Sequence, residues 1–316
     1  MLFTTQIPIS KSNFSIDYNS RIVSLGSCFA ENIGNKFGYF KFQNTVNPFG
    51  IIFNPVSIEN IVSRAVHQRY FTEEDVFFHN ELWHCFEVHS ELSNPKKEIL
   101  INILNQKLDD FYFQIANASH YIITYGTSWV YKVKNTHQTV ANCHKVSQDQ
   151  FDKEILAVAT LEKSLKNTIA LLRKVNADCS IIFTVSPVRH IKDGFAENQR
   201  SKAHLLCAIH EIINKEVPIV NYFPSYEIMM DELRDYRFYA EDMLHPNQVA
   251  IDYIWERFLL TQISESIYPT MQEVCTVQKG LAHRPFNPET ESHHKFLHAL
   301  SKKIASLSAQ FPHIKF

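Results

Sequence analysis

Ile22-Val23-Ser24-Leu25-Gly26-Ser27-Cys28-Phe29-Ala30 carries an apolar run through a glycine and straight into a helical pattern. The residues before Gly26 suit an interior parallel strand, and Phe29, Ile33 and Phe37 recur at helical spacing after it. Ser27 is therefore expected at the carboxyl end of a strand and the amino end of a helix. Open α/β sheets bind ligands at that end. Helix-terminal amides without internal partners can also stabilise a developing negative oxygen, which turns attention to acyl chemistry at a serine. Cys28 is a second candidate nucleophile, but a strand-to-helix turn aims only one of two adjacent side chains at a substrate, and Ser27 is preferred.

Short apolar runs continue the pattern at 21–25, 42–46, 121–125, 180–185 and 218–222, with helical periodicity between and around them at 30–40, 58–68, 96–116, 149–175 and 196–216. Such alternation marks crossover units building a parallel sheet. With right-handed crossovers, the simplest outcome is a five-stranded parallel sheet of flavodoxin-like order, with the Ser27 turn at its switch point. Two stretches interrupt the alternation, 70–91 around His79-Asn80-Glu81 and 129–141 around Lys134-Asn135-Thr136, and both read as hairpin insertions. Each either walls a site or covers an edge strand. Insertions are accordingly expected near 70–115 and 129–145 of a main domain spanning 1–265. The remainder, 266–316, reads as irregular around prolines 269, 285 and 288, then as an amphipathic helix through Phe296, Leu297, Leu300, Ile304 and Leu307 that packs back on the domain.

A serine needs a base, and Ala240-Glu241-Asp242-Met243-Leu244-His245-Pro246-Asn247 offers one just ahead of a helical pattern from Gln248 to Leu260. Asp242 and His245 are three residues apart, so one tight loop presents both, with the carboxylate holding one imidazole nitrogen while the other faces the serine. Pro246 stiffens that loop and forgoes an amide that a helix start leaves unpaired. Asp, His, Pro and Asn before a helix are also ordinary capping chemistry. The case for a triad is their appearance with Ser27, in the chain order Ser, Asp, His.

Gly26-Ser27-Cys28-Phe29-Ala30 resembles the name-giving motif of the GSCFA family, a branch of the SGNH (GDSL-like) hydrolases. The likeness runs on through Asn47-Pro48-Phe49-Gly50-Ile51, Thr124-Tyr125-Gly126-Thr127, Asn142-Cys143-His144-Lys145, Thr184-Val185-Ser186-Pro187-Val188-Arg189-His190 and Asp242-Met243-Leu244-His245-Pro246, covering most of 22–260. The resemblance implies a three-layer α/β/α fold of the SGNH-hydrolase type, with Ser27 as nucleophile and His245, oriented by Asp242, as base. It implies an oxyanion hole formed by the Ser27 amide with Gly50. Typical SGNH enzymes add an asparagine from a Gly-Xaa-Asn-Asp block, whereas this chain reads Gly126-Thr127-Ser128-Trp129. The third donor then falls to Ser128, Thr127 or a residue elsewhere, such as Asn47 or Asn142, two residues that are also candidate substrate contacts. One such donor is typically worth about 2.7 to 4 kcal/mol of transition-state stabilisation, enough to separate a good hydrolase from a sluggish one or from a binder.

With 316 residues, 45% hydrophobic and 20% charged, the chain has the composition of an ordinary globular protein, and a net charge of -2 without a long basic run argues against nucleic acid as a partner. The start, Met1 to Pro8, lacks a basic region followed by a long apolar one, and no segment approaches the roughly 20 apolar residues of a membrane helix; a cytoplasmic location is expected. Six cysteines without Cys-x-x-Cys spacing read as reduced thiols rather than disulfides. Sixteen histidines show no paired-ligand spacing of the His-Glu-x-x-His kind, so neither metal nor cofactor is expected. His144 and His190 each follow a motif near an expected strand end and are either substrate contacts or satisfied, partly buried histidines. Arg189 either neutralises an anionic substrate group or pairs with Asp193. The expected function is a serine esterase acting on an acyl or acetyl ester, small or borne on a glycan. The alternatives are an acyltransferase using the same serine and a weakly active or inactive module binding carbohydrate or acyl groups.

Overall fold

The computed structural model describes residues 5–213 and 219–316. Strand β1 (Arg21–Gly26) leads into α1 (Cys28–Tyr39), followed by β2 (Gln43–Val46) and α2 (Pro55–Val66). A hairpin of β3 (Phe77–His79) and β4 (Leu82–His84) precedes α3 (Lys97–Asn117) and β5 (His120–Tyr125). Then come β6 (Trp129–Val133), β7 (Thr139–Val140), β8 (Phe151–Ile155), α4 (Val158–Val175), β9 (Ser180–Val185), α5 (Phe195–Ile213) and β10 (Val220–Phe223). The short α6 (Ser225–Glu227) continues as a π-helix through Leu233, and α7 (Gln248–Gln262), α8 (Tyr268–Ala282) and α9 (Glu291–Gln310) complete the chain.

The main sheet is parallel throughout, in the order β10-β9-β5-β1-β2. Counted by its own strands in chain order this is 2-1-3-4-5, the flavodoxin-like arrangement, with the switch point between β1 and β5. Strand periodicity sorts the core into two layers. Val23 and Leu25 of β1, Tyr121, Ile123 and Tyr125 of β5, and Ile181, Phe183 and Val185 of β9 pack with apolar residues of α2 to α5. The intervening Ile22, Ile122 and Ile182 face α1, α7, α8 and α9 through Phe29, Ile33, Phe37, Ile254, Trp255, Phe258, Met271, Val274, Val277, Leu300 and Leu307. The C-terminal helices thus complete the second layer.

Three sequence expectations change. The helix expected over 149–175 begins only at Val158, because Phe151-Asp152-Lys153-Glu154-Ile155 alternates buried and outward residues and pairs antiparallel with β6. The stretch beyond Leu260 is helical in α8, where Pro269 occupies the first turn and needs no amide partner. The first insertion ends before Lys97, since α3 belongs to the helical layer, and the second extends to Ile155. Residues 214–216 and 218, expected to end a helix and start a strand, lie outside the described residues. The β3–β4 turn is closed by Asn80 and Glu81 at φ 46° and 62°, the left-handed geometry that matches the strands' twist.

Candidate active site

Gly26 ends β1 at φ 130°, and a Cβ there would lie 2.0 Å from Thr124 O, so only glycine lets β1 turn this close to β5. The next residue, Ser27, caps α1: its hydroxyl accepts from Phe29 N–H at 3.3 Å and its own amide donates to Thr124 O at 3.0 Å. Ser27 is fully buried. Asn47, at φ 41°, braces the corner, its Oδ1 accepting from Gly26 N–H at 2.8 Å while its carbonyl accepts from Gly50 N–H at 2.7 Å. The two amides expected at an oxyanion hole, those of Ser27 and Gly50, are therefore both engaged by backbone carbonyls, and Asn47 serves the turn.

Burial, with Glu31 adding to it, pushes the Cys28 thiol up. It stays protonated at neutral pH, and a thiol is a far weaker nucleophile than a thiolate.

Asp242 and His245 form the pair expected of them: His245 Nδ1 donates to Asp242 Oδ2 at 2.5 Å. The other carboxylate oxygen accepts the backbone N–H groups of Leu244 and His245 at 2.9 and 3.0 Å. These amide bonds first, and the imidazole after them, hold the Asp242 carboxyl down at about 2. Met243 at φ 59° closes the loop, and Ala240 N–H donates to His245 O at 2.7 Å. With its carboxylate on Nδ1, the imidazole keeps Nε2 as the free acceptor, the tautomer a base requires.

A backbone bond fastens this loop to the end of β9, Arg189 N–H donating to Leu244 O at 3.2 Å. His190, next in the chain, has its Nε2 buried without a hydrogen-bond partner, 3.2 Å from where a Cβ on Gly126 would stand. Burial first, then the neighbouring Lys202 and His245, pull His190 down to about 3, so it is a neutral imidazole beside the His245 loop. The serine corner of β1, Gly126 after β5 and the His190–His245 region after β9 consequently share the carboxyl edge of the sheet. Among the described residues no hydrogen bond joins Ser27 Oγ to His245.

Other candidates are placed differently. Ser128 is fully buried against α5, donating its hydroxyl to Ser201 O at 3.1 Å and its amide to Ser201 Oγ at 2.8 Å. Thr127 Oγ1 accepts from Trp129 N–H at 3.0 Å and also meets Ser201 Oγ. Both hydroxyls are spent on α5 and the β6 turn. Asn142 Oδ1 accepts from His144 N–H, and His144 Nε2 donates to Cys85 O at 2.7 Å, its ring packed 4.7 Å from His84 and 5.8 Å from Phe77. Burial lowers His144 to about 4. These two residues knit the hairpins together. Arg189 makes no pair with Asp193, which binds Lys153; its guanidinium instead lies over the Tyr239 and Tyr236 rings at 4.0 and 5.0 Å.

Sequence reasoning passed over Lys202. It lies in the middle of α5, 1% exposed, donating to Gly126 O at 2.7 Å and Ser186 O at 2.8 Å. Its signal was periodic: Asn198, Ser201, Lys202, Leu205, Ala208 and Ile209 form the buried stripe of that helix.

Strand order and the placement of the serine corner define a doubly wound α/β protein with a histidine–aspartate loop at the carboxyl edge of its sheet. The chain belongs to the GSCFA family, whose model matches residues 21–258, from the first residue of β1 into α7. The C-terminal domain of the GSCFA domain protein matches residues 274–316, within α8 and through α9. No curated protein matches the chain. Among the described residues no helix is long and apolar enough to cross a membrane.

Proposed function

We propose that the chain is a serine esterase of the SGNH type, acting on a small or glycan-borne acyl ester. The observation that carries this reading is the Asp242–His245 pair, 2.5 Å apart and tied through Leu244 O to Arg189 at the carboxyl edge where Ser27 caps its helix. Ser27 Oγ attacks the ester carbonyl as His245 Nε2 takes its proton. The imidazolium, steadied by Asp242, returns that proton to the leaving alcohol. Water, or a second alcohol in an acyl transfer, then releases the acyl group. Ser27 is fully buried and its amide is held by Thr124 O, so attack on a substrate requires that this corner open and that bond be released. Six unpaired cysteines suit a reducing compartment, and we place the activity in the cytoplasm.

A fluorophosphonate probe tests the assignment. The wild type is expected to label covalently and Ser27→Ala is not; labelling that survives in Ser27→Ala removes the serine from the mechanism. The closed corner and the two engaged amides favour a second reading, a module that binds an acyl or carbohydrate group without turnover. A binder keeps its ligand affinity in Ser27→Ala and never labels.

A further inference from the structure

Lys202 is a buried ammonium without a carboxylate partner among the described residues, in a helix whose stripe would otherwise accept an apolar side chain. Holding such a group in the interior is costly unless its hydrogen bonds are satisfied. Its two acceptors are the carbonyl of Gly126, two residues beyond the Thr124 carbonyl that receives the Ser27 amide, and that of Ser186, three residues before the Arg189 amide that holds the His245 loop. One helix thereby grips the ends of two adjacent strands, β5 carrying the serine's anchor and β9 the histidine's.

We infer that Lys202 is a positioning residue for the Ser27–His245 pair, bridging Gly126 O and Ser186 O so that the two strand ends hold both loops in register. The inference rests on the esterase reading for what is positioned, not for the bridge itself. Besides the two carbonyls, groups from three other segments stand near the ammonium: Cys28 of α1, His190 of the loop after β9, and the Tyr226 ring of α6 at 5.5 Å. Burial pulls the ammonium down to about 7, and the neutral amine still carries two N–H groups. The bridge therefore persists in either protonation state, and the arm's length and donors matter more than its charge. A methionine of similar length fills the space and leaves both carbonyl oxygens without a donor.

Two readouts on the full chain test this, with Leu205→Ala on the same helix as a control that opens the core without touching the bridge. The first is the rate of fluorophosphonate labelling; the second is the set of His245 ring resonances by NMR. Lys202→Met is expected to slow labelling at least tenfold and to move the His245 resonances, whereas Leu205→Ala lowers the melting temperature and leaves both unchanged. Lys202→Gln, which keeps a two-hydrogen donor on a shorter arm, should fall between wild type and methionine, and it serves if the methionine variant does not fold. His245 resonances that stay in place in both Lys202 variants overturn the inference, whatever the melting temperatures do. If the wild type itself never labels, the esterase reading fails while the resonances still decide the bridge.

Discussion

Thr124 O receives the Ser27 amide hydrogen at 3.0 Å and would stand 2.0 Å from a Cβ on Gly26. One carbonyl of β5 thus dictates both the glycine and the pose of the serine that follows it. The GSCFA motif is, physically, a strand crossing so close to its neighbour that no side chain fits before the cap.

Gly26→Ala meets that carbonyl and a φ of 130° that L residues rarely adopt. Backbone strain and overpacking together predict a loss of roughly 3 kcal/mol or more, read from the urea midpoint at constant slope. A loss below 1 kcal/mol means that β1 and β5 can separate freely at this corner.

Cys28→Ser separates the two candidate nucleophiles. Because burial keeps the thiol protonated, the variant should label with fluorophosphonate within about twofold of wild type. A collapse of labelling transfers the chemistry to the cysteine.

Asp242→Asn keeps the shape of the loop and removes the anion that fixes the imidazole tautomer. In the serine-protease triad the equivalent change costs about 10⁴ in kcat, and a loss of that order in ester turnover is expected if the loop works as a base. The carboxyl is held at about 2, so Asp242 itself stays ionised across the neutral range and contributes no step to a pH–rate profile above pH 4. An asparagine variant with wild-type turnover dismisses the pair from catalysis.

Legibility in the sequence followed burial. The central strands β1, β5 and β9 are buried on both faces almost throughout, and parallel strands between two helical layers read as short continuous apolar runs, whereas the edge strand β2, Gln43–Val46, is half-buried and mostly polar. β8 escaped because Asp152, Lys153 and Glu154 leave it only a period-two pattern of five residues beside a longer helical one. α8 escaped because Pro269 reads as a breaker until its place in the first turn is seen. In the site, the serine corner and the Asp242–His245 loop were visible since each sits at a strand-to-helix or loop-to-helix junction with its own local grammar. Lys202 was hidden because a lysine in a helix ordinarily reads as solvated, and its acceptors are carbonyls 76 and 16 residues away. Asn142 and His144 follow an insertion, where sequence does not reveal which way a side chain points; they point into the hairpin joint.

His144 makes the stability of that joint depend on pH. Its folded value, about 4, lies below the 6.5 of an exposed imidazole, chiefly through burial. Below pH 6.5 the unfolded chain takes up a proton that the folded chain refuses, so the contribution is complete above 6.5 and is lost progressively as the pH falls toward 4. Between pH 7 and pH 5 the shift corresponds to about 2 kcal/mol. His144→Gln retains a donor for Cys85 O and cannot titrate. Urea unfolding at the two pH values should therefore show the wild type losing about 2 kcal/mol more than the glutamine variant, and equal losses in the two proteins mean that His144 opens to solvent and protonates without disturbing the hairpins.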